Sequence, residues 1–293
     1  MQKTLDLAIK MSEKGTLDGG YSIADWKTYS AYMNNDEWDA FVDDMEKNHQ
    51  NAFDEYGAGS GGELKPKGKY PPKMASYGSS SRMIYNLCKG IAEFHFEEKM
   101  PTKVGGTANL DGYMETGDRY IFVEAKCREP YGEKSHLIES KYRDLFIHIN
   151  EDNACNLNIK VECVSKKILA TFSIGNLVIS SFDIKQMICH LLGIANRFLN
   201  EPTIKKLSFL YLCYNPKLIQ ITDSKKQAEI IATYEKMCDE CAAIDFKELF
   251  LSILKFLHFE LKVGMLMEKE IDEMYNNFNF VLCDQSNFKH YLI

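Results

Sequence analysis

The sequence predicts a mixed α/β domain, a sheet with helices packed on it. Three observations predict it. Two strand-like runs, 107–114 and 120–126, face each other across Glu115-Thr116-Gly117-Asp118. Stretches with helical periodicity stand before and after them, and further apolar and β-branched segments add strands toward the C-terminus. With 45% hydrophobic and 26% charged residues, the chain has the balance of a globular protein and not of a disordered one.

Taken in order, residues 1–62 read as a helical N-terminal extension closed by a linker, and 63–293 as the main domain. Within 37–48, Trp38, Phe41 and Met45 recur at helical spacing and predict a packed stripe. Gly57-Ala58-Gly59-Ser60-Gly61-Gly62 is the clearest internal boundary. Lys65, Lys67, Lys69 and Lys73 follow among prolines; they read as a solvated loop or as a track for a phosphate backbone. Ser79-Ser80-Ser81 supplies N-caps for a helix expected to reach about Lys99, with Ile84, Leu87, Cys88, Ile91 and Phe94 on its buried face. Residues 135–149 read as helix, 158–181 as further strands, 184–199 as helix and 207–214 as an apolar strand. The stretch 224–262 reads as largely helical, and 278–283 as a closing strand.

Several function classes are excluded or constrained. The net charge of −7 means that any positive surface for nucleic acid must be local. The nearest approach to a membrane span, 249–259, is interrupted by Lys255 and His258, so no membrane is expected. Nine scattered cysteines, with no secretory segment before them, fit reduced thiols in a cytoplasm. Cys238 and Cys241 form a CxxC without a second pair at zinc spacing, so packing thiols are expected there. The glycine break lacks the lysine and hydroxyl of a phosphate-binding loop, and no nucleophile elbow appears.

The chemistry concentrates in the hairpin. Along the second strand, Tyr120, Phe122, Glu124 and Lys126 point one way and Ile121, Val123 and Ala125 the other. A Gly117-Asp118 loop places Asp111 directly opposite Glu124; a loop at Thr116-Gly117 places it on the diagonal; an odd-numbered loop would turn it away. Side chains directly opposed on a hairpin have Cβ atoms about 4.5–5.5 Å apart. Two carboxylates so close repel each other unless a divalent cation joins them, and Mg²⁺ commonly takes one or two carboxylates plus water and phosphate. A lysine beside them can orient the attacking water or stabilise charge on a phosphoryl group.

Asp111, twelve intervening residues, then Glu124-Ala125-Lys126 at the end of an apolar strand resembles the PD-(D/E)XK nuclease superfamily. Glu-x-Lys occurs five times, beginning at Glu63, Glu97, Glu124, Glu139 and Glu260, but only the copy at Glu124 ends a strand preceded by a turn and an aspartate-bearing strand. Leu110 stands where that family often has proline. The resemblance implies a restriction-endonuclease-like mixed sheet flanked by helices. It implies Asp111 and Glu124 as ligands of Mg²⁺ or Mn²⁺, Lys126 as the catalytic lysine, and Mg²⁺-dependent hydrolysis of phosphodiester bonds, with DNA the favoured nucleic acid and a restriction or defence role. A homodimer is admitted.

The resemblance further implies an acidic ligand from the element before the hairpin, for which Glu93 is taken ahead of Glu97. It also implies a polar residue on a later helix, for which Gln186, with His190 one turn on, competes with Lys141. Solvated or capping roles stand beside each of these. The alternative function is a fold of the same type that binds nucleic acid or a protein without cutting.

Overall fold

The hairpin forms because its second strand has no polar residue between Tyr120 and Glu124, so it can be buried on both faces only at the centre of a sheet. The surrounding architecture was analysed in a computed structural model that describes residues 32–33, 35–59, 62–66, 71–76, 78–127, 137–153, 155–164, 166–218, 224–264 and 268–292. In chain order these carry α1 (Asn35–Asn48), α2 (Gln50–Ala58), α3 (Ser80–Cys88), β1 (Phe94–Pro101), β2 (Thr107–Glu115), β3 (Arg119–Lys126) and β4 (Leu137–Glu139). They continue with α4 (Arg143–Asp152), β5 (Leu157–Val164), β6 (Lys167–Ile174), β7 (Leu177–Ile179), α5 (Ile184–Asn200) and β8 (Lys206–Cys213). The series ends with α6 (Ser224–Ala242), α7 (Phe246–Lys255), α8 (Glu268–Asn277) and β9 (Phe278–Asp284).

The main sheet has the order β1-β2-β3-β8-β9. β1, β2 and β3 run as an antiparallel meander, while β8 and β9 join in parallel. A smaller antiparallel sheet, β4-β6-β5 with β7 on β6, is inserted between β3 and α5. The molecule is therefore α/β with a mixed sheet flanked by helices, as expected.

Two apolar layers sandwich the main sheet. On one face, α5, α7 and the small sheet pack over Phe122, Phe209 and Tyr211. On the other, Trp38, Met45 and Tyr56 from α1 and α2, with Ile84 and Tyr85 from α3, cover Phe94, Phe96, Val123 and Ala125. The helical stretch before the glycine break thus forms a wall of the domain core.

Two expected helices are shorter than predicted. The helix from Ser80 stops at Cys88, and Phe94–Pro101 is strand β1, so Glu93 and Glu97 do not share a helical face. Gly90 follows the helix end, and Phe94 and Phe96 gain burial only by alternating in a strand. The helix expected over 135–149 begins as strand β4, turns at Ser140–Tyr142 and becomes helical at Arg143. Residues 135 and 136 lie outside those described, as do Lys67 and Lys69.

Candidate active site

The turn selects the first of the hairpin registers. Thr116 N–H donates to the Arg119 carbonyl at 2.9 Å, and the pairs run from Glu115↔Tyr120 to Gly112↔Val123. One position further, Asp111 stands across from Glu124. The ladder stops there, and the Asp111 side chain replaces a backbone acceptor: its Oδ2 receives the Ala125 N–H at 2.8 Å.

The strands also turn over at this row. Phe94 and Phe96 face α2, while Met100 faces α5; Leu110 lies on the α5 side, and a Cβ on Gly112 would meet the Phe94 ring. Between them, Glu97 has φ 59°, and the pairs Phe96↔Gly112 and Glu98↔Leu110 flank the Glu97–Asp111 position without including it. A left-handed residue in a strand reverses its alternation, as in a β-bulge. Glu97, Asp111 and Glu124 therefore line up across three strands. Tyr56 senses two of them: burial first, then the charges of Asp111 and Glu97, push its hydroxyl well above the ordinary range.

On the α5 side, Glu124 and Lys126 are both buried. Lys126 Nζ donates to Glu124 Oε1 at 2.5 Å and to Gln186 Oε1 at 2.7 Å, and Gln186 Nε2 donates to the same Glu124 oxygen at 2.7 Å. His190 Nε2 lies 3.0 Å from Glu124 Oε2, close enough to act electrostatically but without hydrogen-bond alignment. Burial works to raise the Glu124 carboxyl, but Lys126 and then His190 overcome it and hold the group down at about 2. It is a carboxylate at neutral pH.

Helix α5 is set by three features. Asp183 caps it, accepting the Gln186 N–H at 3.0 Å. Gly193 lets the helix approach β1 and β2, since a Cβ there would lie 2.7 Å from that of Met100. Glu240 of α6, wholly buried, accepts N–H groups from Ser180 at 3.1 Å, Ser181 at 2.7 Å and Phe182 at 2.7 Å, which fixes the segment entering α5. Gln186 and His190, one turn apart, then reach Glu124 together.

The structure thus joins Glu124, Lys126 and Gln186 in one hydrogen-bonded cluster and holds Asp111 on the adjacent Ala125 amide. It does not bring in Glu93, which is exposed in the turn before β1, four residues from Glu97 and roughly 10 Å or more along the strand direction. Lys141 sits 5.7 Å over the Tyr142 ring, and Gln186 makes the contacts for which the two competed. Lys73 is bound to buried Glu63 at 2.8 Å, and Lys65 is exposed. Glu63 and Glu97 share a contact, and burial, then the Glu63 charge, raise the Glu97 carboxyl to about 7. Glu240 escaped the sequence reading. Its signal was its place three residues after Met237 and one before Cys241, on the buried side of α6.

Among the described residues, no three His, Cys, Asp or Glu side chains converge as a ready metal-ligand group, and no helix is long and apolar enough to cross a membrane. All nine cysteines are free thiols. No protein-family profile, curated protein or solved structure matches this chain.

Proposed function

We propose that the chain is a divalent-cation-dependent nuclease of restriction-endonuclease-like fold, hydrolysing phosphodiester bonds, with DNA the favoured substrate. One observation carries this reading: a buried, ionised Glu124 is clamped beside Lys126 by Gln186, directly across from Asp111. A buried ion pair is weak evidence of stability, since an apolar replacement is often no less stable, and a carboxylate held ionised by specific partners is a functional-site candidate.

The residues fit a hard cation. Two carboxylates with water suffice for Mg²⁺ or Mn²⁺, and Glu124 Oε2, with His190 Nε2 3.0 Å away, has no aligned hydrogen bond to give up. Asp111 and Glu124 would hold it, and the bound ion supplies Lewis acidity toward a phosphoryl oxygen. Lys126 then leaves its Glu124 contact to orient a water or to neutralise charge on the phosphate. Gln186 holds the ammonium beside Glu124, and His190 stands against the other Glu124 oxygen.

Titration calorimetry with Mn²⁺, beside cleavage of plasmid and single-stranded DNA, tests the reading. Asp111→Asn is expected to lose ion binding and cleavage together. Lys126→Ala is expected to keep ion binding, yet lose about 10²–10⁴ in rate. Wild-type protein that binds no divalent ion and cuts no substrate would overturn the proposal. The second reading, a non-cutting binding module, is favoured by one observation: Glu124 Oε1 is already occupied by Lys126 and Gln186. It would then stand.

A further inference from the structure

The two oxygens of Glu124 have opposite surroundings. Oε1 accepts from Lys126 Nζ at 2.5 Å and from Gln186 Nε2 at 2.7 Å, so both of its lone pairs are used. Oε2 is buried with no aligned hydrogen bond, and His190 Nε2 stands 3.0 Å from it. Both side chains are 2% exposed, so bulk water does not serve either atom. The division follows from the helix: Gln186 and His190 lie one turn apart on α5, each against a different oxygen of one carboxylate. The Phe209 ring of β8, centred 6.1 Å from the imidazole, helps to wall the histidine in.

His190 is itself short of partners. Both ring nitrogens are buried, and neither makes an aligned hydrogen bond. An N–H on Nε2 is not aimed at Oε2, and a buried donor left without an acceptor costs about 1–3 kcal/mol. With the ring proton on Nδ1, the lone pair of Nε2 faces the carboxylate oxygen, and the two repel. A cation bound by both atoms reverses that sign. The spacing suits one, because an ion about 2.1 Å from each of two ligands at right angles sets them about 3.0 Å apart.

We infer that His190 Nε2 is a nitrogen ligand of the cation held at Glu124, so that the site takes a first-row transition ion in preference to Mg²⁺. The inference rests on the nuclease reading, in which Asp111 and Glu124 hold the ion, and adds a third ligand and the class of metal. Carboxylate and water suit Mg²⁺ well. Imidazole favours transition ions, whereas Mg²⁺ dehydrates reluctantly and keeps to oxygen.

The test is pulsed electron paramagnetic resonance of the full chain loaded with Mn²⁺, made with ordinary histidine and with histidine labelled with heavy nitrogen. Titration calorimetry with Mn²⁺ and with Mg²⁺ accompanies it. Wild type is expected to show nitrogen modulation of the Mn²⁺ echo that changes with the label. His190→Gln is expected to lose that modulation and to bind Mn²⁺ more weakly by about 10-fold or more, with a smaller loss for Mg²⁺. His290→Gln, at an exposed position near the C-terminus, is expected to match wild type in both. Wild-type protein that holds Mn²⁺ with no histidine nitrogen on it overturns the ligand, whether or not the variant folds, and leaves the nuclease reading standing. Modulation that survives in His190→Gln overturns it too, since another of the seven histidines would then be the source. Equal losses of Mn²⁺ and Mg²⁺ affinity in His190→Gln overturn the choice of metal. Wild-type protein that binds neither ion overturns the underlying reading, and the ligand with it.

Discussion

At the scale of single residues, the site is decided by how two carboxyls are charged. Glu124 is buried yet ionised, because Lys126 and His190 outweigh the cost of burial. Its folded-state value, about 2, lies below the ordinary glutamate value of about 4.3. The stability it contributes is present above that ordinary value and is lost as pH falls toward 2. Glu97 is the opposite case. Burial and the Glu63 charge raise it to about 7, so its contribution is complete below about 4.3 and is lost as pH rises through 7. Urea midpoints across this range are expected to fall between pH ~4.3 and ~7 in wild type, and to fall less in Glu97→Gln. A variant curve that falls as steeply as wild type would show that Glu97 is not the group titrating.

At the scale of elements, the placement of α5 controls the site from behind. Three amides of 180–182 depend on the Glu240 carboxylate. Leaving buried amides without acceptors costs about 1–3 kcal/mol each, so Glu240→Ala is expected to lower stability by several kcal/mol. Glu240→Gln, which keeps one acceptor, should lose less. On the proposed nuclease reading, a shift of about 1 Å at a catalytic group can cost about 10²-fold, so the surviving Gln variant is then expected to cut slowly with little change in DNA binding. Equal rates for it and wild type would release Glu240 from any positioning role. Gly193 tests the same interface by volume. Gly193→Ala puts a methyl 2.7 Å from Met100 Cβ, and overpacking of this kind costs about 1–3 kcal/mol, read as a lower denaturation midpoint.

At the scale of the whole molecule, both faces of the sheet need a cover, and the helices α1 and α2 supply part of one. Trp38, Met45, Ala52 and Tyr56 are buried against the layer that holds Phe94 and Phe96. A chain beginning at residue 62 would expose that layer. It is expected to be insoluble or to bind a hydrophobic dye, whereas the chain with α1 and α2 does not. A monomeric truncation with native circular dichroism would show that these helices are dispensable. Within the intact chain, Tyr56→Ala is expected to cost about 3–5 kcal/mol through the cavity it leaves, monitored by chemical denaturation.

The sequence by itself determined what depends on near neighbours in the chain. Strict alternation from Tyr120 to Lys126 put Glu124 and Lys126 on one face, and the Gly117-Asp118 turn put Asp111 opposite Glu124. The helical period of 184–199 and the apolar run of β8 were equally local, so α5 and the strand after it were legible. Gln186 was reachable as a candidate through the family resemblance. Its two bonds to Lys126 and Glu124 came from packing, because they require Gly193 to bring the helix against the sheet. β1 was misread as helix because its alternation reverses at Glu97, a left-handed position that the residue type does not announce. For the same reason Glu93 was preferred to Glu97, although Glu97 stands beside Asp111. The contacts of Glu240 with 180–182, and of Gln186 with Glu124 and Lys126, join segments distant in the chain. Only the tertiary structure could decide them, because their energies come from burial and charge between residues that local periodicity does not relate.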